Sequence, residues 1–128
     1  MRRTLTVVLF GAAILPGAAA GQDITAIERA KAADFDMKGE IACAQEVGEA
    51  MGACRAAVAR AGATAAVVVT FPNGFARTLT FDGGDFVRGN ATMSGVGTDT
   101  DWRLSDGTYF VRVDDQRYEL PAALVFGE

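Results

Sequence analysis

The stretch that most constrains this chain is residues 65–81, AAVVVTFPNGFARTLTF. Two runs rich in β-branched and aromatic residues flank Pro72-Asn73-Gly74, which is a hairpin pattern. Two registers compete. A two-residue Asn73-Gly74 turn sets Val69 against Thr78 and Phe71 against Ala76, and neither face is then cleanly apolar. With Pro72 at the second position of a type I turn and Gly74 in the left-handed bulge position, Phe71 pairs with Phe75. Val69 then faces Arg77, Val67 faces Leu79 and Ala65 faces Phe81, an apolar face apart from Arg77. A one-residue slip would swap every side chain between faces, so the pattern selects the second register. The Arg77 stem is expected along that face with its head in solvent at the rim, within reach of a carboxylate such as Glu40 or Glu119. An isolated hairpin is marginal in water, so the remaining chain must cover this one.

Strand signals recur on both sides. Residues 35–42 alternate Phe35 and Met37 with Asp36 and Lys38, then reach Ile41, with a bulge expected at Gly39. Residues 43–60 are alanine-rich, and propensity alone favours helix. In an exported protein, however, Cys43 and Cys54 pair by default, and a continuous helix would hold their Cα atoms about 16 Å apart, whereas a bridge needs less than about 7 Å. The chain must turn back, at Gly48 or Gly52. Residues 45–51 are therefore expected as a loop or single helical turn. Residues 54–60 then form a strand with Cys54, Ala56 and Val58 inward. The alternative for the two thiols is a metal pair, a poor site without histidine. After residues 82–85, a tight Asp-Gly-Gly-Asp turn, come a strand over 86–93 and a polar loop over 94–101. A second hairpin spans 102–104 and 108–113, with Tyr109, Val111 and Val113 on one face and Phe110 and Arg112 on the other. Asp114-Asp115-Gln116 turns into a last strand over 117–120, and Pro121 can start a helical turn. Strands at this spacing predict a mainly β fold, a small antiparallel barrel or sandwich of meandering hairpins.

The first twenty residues read as a cleaved export signal helix. Arg2 and Arg3 precede an apolar run over 5–15, Pro16-Gly17 break it, and Ala18-Ala19-Ala20 offer a small-residue cleavage site. The apolar run is short for a membrane anchor, so stable membrane insertion after cleavage is not expected. Residues 21–34 form a short helix or a disordered N-terminus, with Thr25 and Glu28 at capping-box spacing. Residues 35–128 make a single β-rich domain. The exported part keeps all sixteen acidic residues and loses two of the twelve basic ones, so its charge is ten minus sixteen, or −6. With no basic run or basic face, nucleic acid is not an expected partner.

The chain has no histidine, which removes the usual serine and cysteine protease sets and most zinc sites. Acid–base work would fall to Asp82/Asp85 and Asp99/Asp101, two pairs in glycine-containing loops. These read as solvated turn residues, since Asp and Gly build turns anyway, with a calcium site or a glycosidase-like pair as the alternative. Trp102, Tyr109 and Tyr118 read as core or rim aromatics, with a ligand groove as the alternative. Asn90-Ala91-Thr92 has the glycosylation pattern.

Ile41-Ala-Cys43-Ala-Gln45, Met51-Gly-Ala-Cys54, Val58-Ala-Arg60, the VVVT-x-PNG hairpin, and residues 115–121 followed by Val125-Phe126-Gly127 resemble a group of small exported proteins of alphaproteobacteria. The resemblance spans about residues 35–127 and is weakest over 85–102. It implies a periplasmic or secreted location, a Cys43–Cys54 disulfide and a β-rich domain, and no activity. A looser resemblance is to periplasmic lysozyme inhibitors, small disulfide-containing β-barrels that block the enzyme's carboxylates with a Ser-Gly loop. Ser94-Gly95 occupies a suitable loop, without the tyrosine expected after it. The acidic exported chain suits a basic lysozyme.

Together these readings predict a non-enzymatic periplasmic or secreted domain, without cofactor or metal, that binds a protein or cell-envelope component. Ser94, Gly95, Asp99, Asp101 and Trp102 are the candidate contact residues. Lysozyme inhibition and calcium binding are the alternatives.

Overall fold

The computed structural model describes residues 25–89 and 98–127. The leader over 1–20, the glycosylation pattern at Asn90 and the loop residues Ser94 and Gly95 lie outside the described residues. Eight antiparallel strands form one sheet: β1 (Met37–Ala44), β2 (Gly52–Ala61), β3 (Thr64–Thr70), β4 (Ala76–Asp82), β5 (Asp85–Gly89), β6 (Thr100–Ser105), β7 (Thr108–Val113) and β8 (Gln116–Pro121). Their order is β5-β4-β3-β2-β1-β8-β7-β6, so every pairing joins sequence neighbours except that of the first strand with the last, and β5 and β6 are left as the two edges. The edge strands β5 and β6 approach each other, and the Thr98 hydroxyl donates to the Gly89 carbonyl at 3.3 Å. The sheet is thus a nearly closed barrel, the arrangement that removes exposed edges.

The founding hairpin has the register selected by Pro72. Val69 faces Arg77, Val67 faces Leu79 and Ala65 faces Phe81. The Phe71 N–H donates to the Phe75 carbonyl at 2.8 Å, and Gly74 has φ +94°, the left-handed conformation that glycine adopts without strain. The inward face of this hairpin meets inward residues of the other strands. Val58, Val67, Val69, Leu79, Phe81, Val113 and Leu120 are fully buried. An eight-stranded barrel has an interior about wide enough for its own side chains, and aromatic rings fill it here. Phe81 meets Phe86, Tyr109 and Phe126 at 5.5, 4.8 and 6.2 Å between ring centres.

Cys43 and Cys54 form a disulfide, with Cα atoms 5.9 Å apart. Cys43 lies opposite Gly52 and Cys54 opposite Ile41, so the bridge runs diagonally between β1 and β2 on the inward face. The connection over 45–51 is a loop turning at Gly48, φ +81°, while Gly52 already belongs to β2. The bulge expected at Gly39 does not occur: β1 and β2 pair in unbroken register from Met37 to Cys43. The irregularity lies instead between Thr80 and Phe81, where β4 meets β5.

Two short helices finish the barrel. Helix α1 (Ala26–Lys31) carries the capping box: the Glu28 N–H donates to the Thr25 hydroxyl at 3.0 Å, and the Thr25 N–H to the Glu28 carboxylate at 3.1 Å. It lies outside the barrel, where Ala26 and Ala30 pack on Ala59 and Ala66. Helix α2 (Ala122–Phe126) packs against β2, β3 and β8 and buries Val125. The Arg60 guanidinium donates to the carbonyls of Val125 at 2.9 Å and Leu124 at 2.8 Å, which stabilises the helix end.

Candidate binding face

Alternation along a strand fixes what each wall of the barrel shows to solvent. On β6 the outward residues are Asp101 and Arg103, on β7 Phe110 and Arg112, and on β8 Arg117 and Glu119. The pairing is Arg103 with Phe110, Asp101 with Arg112, Arg112 with Arg117, and Phe110 with Glu119. With Met51 from the β1–β2 loop, these side chains line a groove of about 290 Å³. Three arginines separated in sequence meet here because two strand pairings bring them together, and Asp101 and Glu119 stand on the same wall.

Each arginine is held in place. The Arg103 guanidinium lies 4.1 Å from the Phe110 ring centre. Arg112 Nη1 donates to the Asp114 carbonyl at 2.9 Å and sits 3.3 Å from the Asp99 carboxylate. Arg117 Nη2 donates to the Glu49 carbonyl. Asp99 also extends the ladder: its N–H donates to Asp114 Oδ1 at 3.0 Å, and its carbonyl accepts from the Asp114 N–H at 2.7 Å.

The residues singled out in the sequence thus separate. Asp99 anchors Arg112, and Asp101 lines the groove with an oxygen accepting from the Trp102 N–H at 3.0 Å. Trp102 is half-buried, its ring 6.1 Å from Tyr109. Tyr109 and Tyr118 belong to the core. The Tyr109 hydroxyl donates to the Gly84 carbonyl at 2.5 Å, and burial raises its pKa. Asp82 and Asp85 face each other across the Gly83-Gly84 turn. Among the described residues, no three acidic, cysteine or histidine side chains gather in a way that could hold a metal ion.

Arg77 is not at a solvent rim. It is 3 % exposed inside the barrel, its Nη2 is 3.9 Å from Asp114 Oδ2, and its Cζ is 5.6 Å from the Phe75 ring centre. Glu40 and Glu119 are not its partners, because alternation points both outward while Arg77 points in. Tyr118 lies beside it. Burial pushes the Tyr118 pKa up to about 12, an effect the Arg77 charge partly offsets.

A signal for the groove existed in the sequence. Phe110 and Arg112 share a face by alternation, but the last turn was expected to include Gln116. The turn is two residues, Asp114-Asp115, and Gln116 pairs with Val113. That one-residue difference sets Arg112 directly opposite Arg117.

Comparison with protein-family models, with curated proteins and with solved structures finds no match to this chain. No helix among the described residues is long and apolar enough to cross a membrane.

Proposed function

We propose that this is a non-enzymatic binding domain of the periplasm or cell exterior, and that the outer face of β6–β8 is its contact surface for a protein or envelope component. The observation that carries the reading is the groove, where arginine, an aromatic ring and methionine meet on a wall that no element of the described residues covers. That mixture is typical of contact surfaces. Arginine holds its proton at any physiological pH, so the three guanidiniums serve recognition and not proton transfer. The leader-like residues 1–20 and the disulfide support export. Capture from a native envelope fraction tests the reading. The disulfide-bonded protein should retain a partner, and Phe110→Ser with Met51→Ser should release it. Retention unaffected by both changes would move the contact elsewhere.

Lysozyme inhibition is a second reading, supported by the barrel bridged at Cys43–Cys54 and the acidic charge of the exported chain. It places the contact in the loop of Ser94 and Gly95. Assays against lysozymes of several types decide it, and no inhibition at micromolar protein ends it. The calcium reading gains nothing from the described residues, since Asp99 is engaged by Arg112.

A further inference from the structure

We propose that the groove on β6–β8 is an anion site, in which Arg103, Arg112 and Arg117 together receive one carboxylate or phosphate group of the ligand. The inference rests on the contact face described above and names the chemistry that face recognises.

The first argument is the register. Arg112 and Arg117 are directly opposed on neighbouring strands. Residues so placed have Cβ atoms about 5 Å apart, and like charges there destabilise the sheet. An anion between the two guanidiniums would convert that repulsion into attraction.

The second argument is how the arginines are held. Arg117 is positioned by a backbone carbonyl and Arg112 chiefly by another, groups that orient a guanidinium without cancelling its charge. The one carboxylate in contact, Asp99, has a side chain 81 % exposed. Nε and Nη2 of Arg112, and Nε and Nη1 of Arg117, make no hydrogen bond among the described residues. Arg103 makes none either, and stacking on Phe110 fixes its plane while leaving its edge donors available. A guanidinium edge matches two oxygens of a carboxylate or phosphate, and pre-positioning lowers the entropy cost of binding. Asp101 and Glu119 flank the site, so a second anionic group there would be repelled. The ligand therefore offers a single anionic group with an uncharged body against Met51 and Phe110.

The test uses the intact disulfide-bonded protein, with inorganic phosphate and acetate titrated separately at ionic strength held constant with sodium chloride. Backbone amide resonances of β6–β8 are followed. Saturable shifts centred on Arg112 and Arg117 are expected, and Arg117→Gln should weaken binding about tenfold or more. The tighter-binding probe identifies the source of the anionic group. In chloride alone, Arg117→Gln should melt close to the parent protein, because the repulsion it removes offsets the lost hydrogen bond to the Glu49 carbonyl. Shifts that never saturate, or that survive both Arg112→Gln and Arg117→Gln, would overturn the site. So would a lower melting point for both variants in chloride, which would make the pair structural. If an envelope partner is captured through the Phe110 face and neither phosphate nor acetate competes, the anion site fails while the contact face stands. If nothing is captured yet phosphate binds as described, the anion site stands and the partner reading fails.

Discussion

The barrel has two outer walls made from the same alternating strands, and they end in opposite states. Beneath α1 the outward residues of β2 and β3 are small, with Ala59 and Ala66 fully buried. Alanine lets a helix settle close to a sheet, and the wall is sealed by the chain's own N-terminal segment. On β6–β8 the outward residues that line the groove are long and, Phe110 apart, charged, and no element of the described chain covers them. The alanine-rich composition that suggested helix in β2 is thus the imprint of a helix packed on a strand. The difference teaches that a half-buried alternating strand can serve stability on one wall and leave the other for recognition. Covering surface rewards small apolar residues, while binding rewards donors that stay solvated until a partner arrives.

The largest effect that can test this division comes from comparing two phenylalanines. Phe81 is fully buried among three other rings, while Phe110 is half-buried on the open wall. Phe81→Ala should cost about 3–5 kcal/mol, the usual result of emptying a packed aromatic site. Phe110→Ala should cost less than about 1 kcal/mol, in the range of surface changes. Urea denaturation of both variants reads the gap. Similar costs would mean that the open wall is part of the core after all.

Next in size is the bridge, which belongs to neither wall and faces the interior. Closing a loop of this length contributes about 3 kcal/mol in the chain-entropy model. Reduction should lower the unfolding free energy read from urea denaturation by that amount and leave the β signal in circular dichroism intact, because the β1–β2 ladder continues past Cys43 and Cys54 to Met37 and Val58. Loss of the β signal on reduction would show that the strands depend on the bridge for pairing.

The sealed wall can be forced open. Ala59→Leu places a larger side chain under α1 at a site with no free surface, and overpacking of this kind costs about 1–3 kcal/mol. Arg112→Leu, a comparable apolar change on the other wall, should stay near neutral. Denaturation midpoints measure both. Equal tolerance at the two positions would show that α1 is not a seal.

The hairpin was legible because Pro72 and Gly74 leave one register that gives an apolar face, and the bridge because two cysteines behind a leader-like start pair by default, which excludes a helix between them. The inward set Tyr109, Val111 and Val113 followed from alternation alone. What escaped was tertiary. A turn shorter by one residue paired Arg112 with Arg117, and the burial of Arg77 depends on the barrel closing around it. Lateral proximity in a closed sheet comes from strands distant in sequence, as when β1 meets β8, and local patterns do not encode that pairing.

The smallest effect is a pH dependence confined to the sealed wall. Arg29 on α1 reaches Asp36 at 2.8 Å and the Arg60 carbonyl at 2.6 Å, while the Arg60 N–H donates to Asp36 at 2.8 Å. Arg29, and then the Arg60 N–H, hold the Asp36 pKa below its ordinary value. A carboxylate depressed in the folded state contributes stability that is present above its unfolded pKa, about 3.9. That contribution is lost as pH falls through the folded value. Acid should therefore loosen α1 from β2 before it disturbs the open wall, where Arg103 is held by a ring, Arg117 by a carbonyl and Arg112 chiefly by another, and where the one carboxylate in contact, Asp99, is 81 % exposed. Amide exchange between pH 5 and pH 2 reads the two walls separately. Protection of the β2 amides under α1 should fall first in the parent protein. In Asp36→Asn it should be lower throughout and nearly flat with pH, whereas an unchanged acid step in that variant would assign the effect to another carboxylate, such as Asp34, which also contacts Arg29.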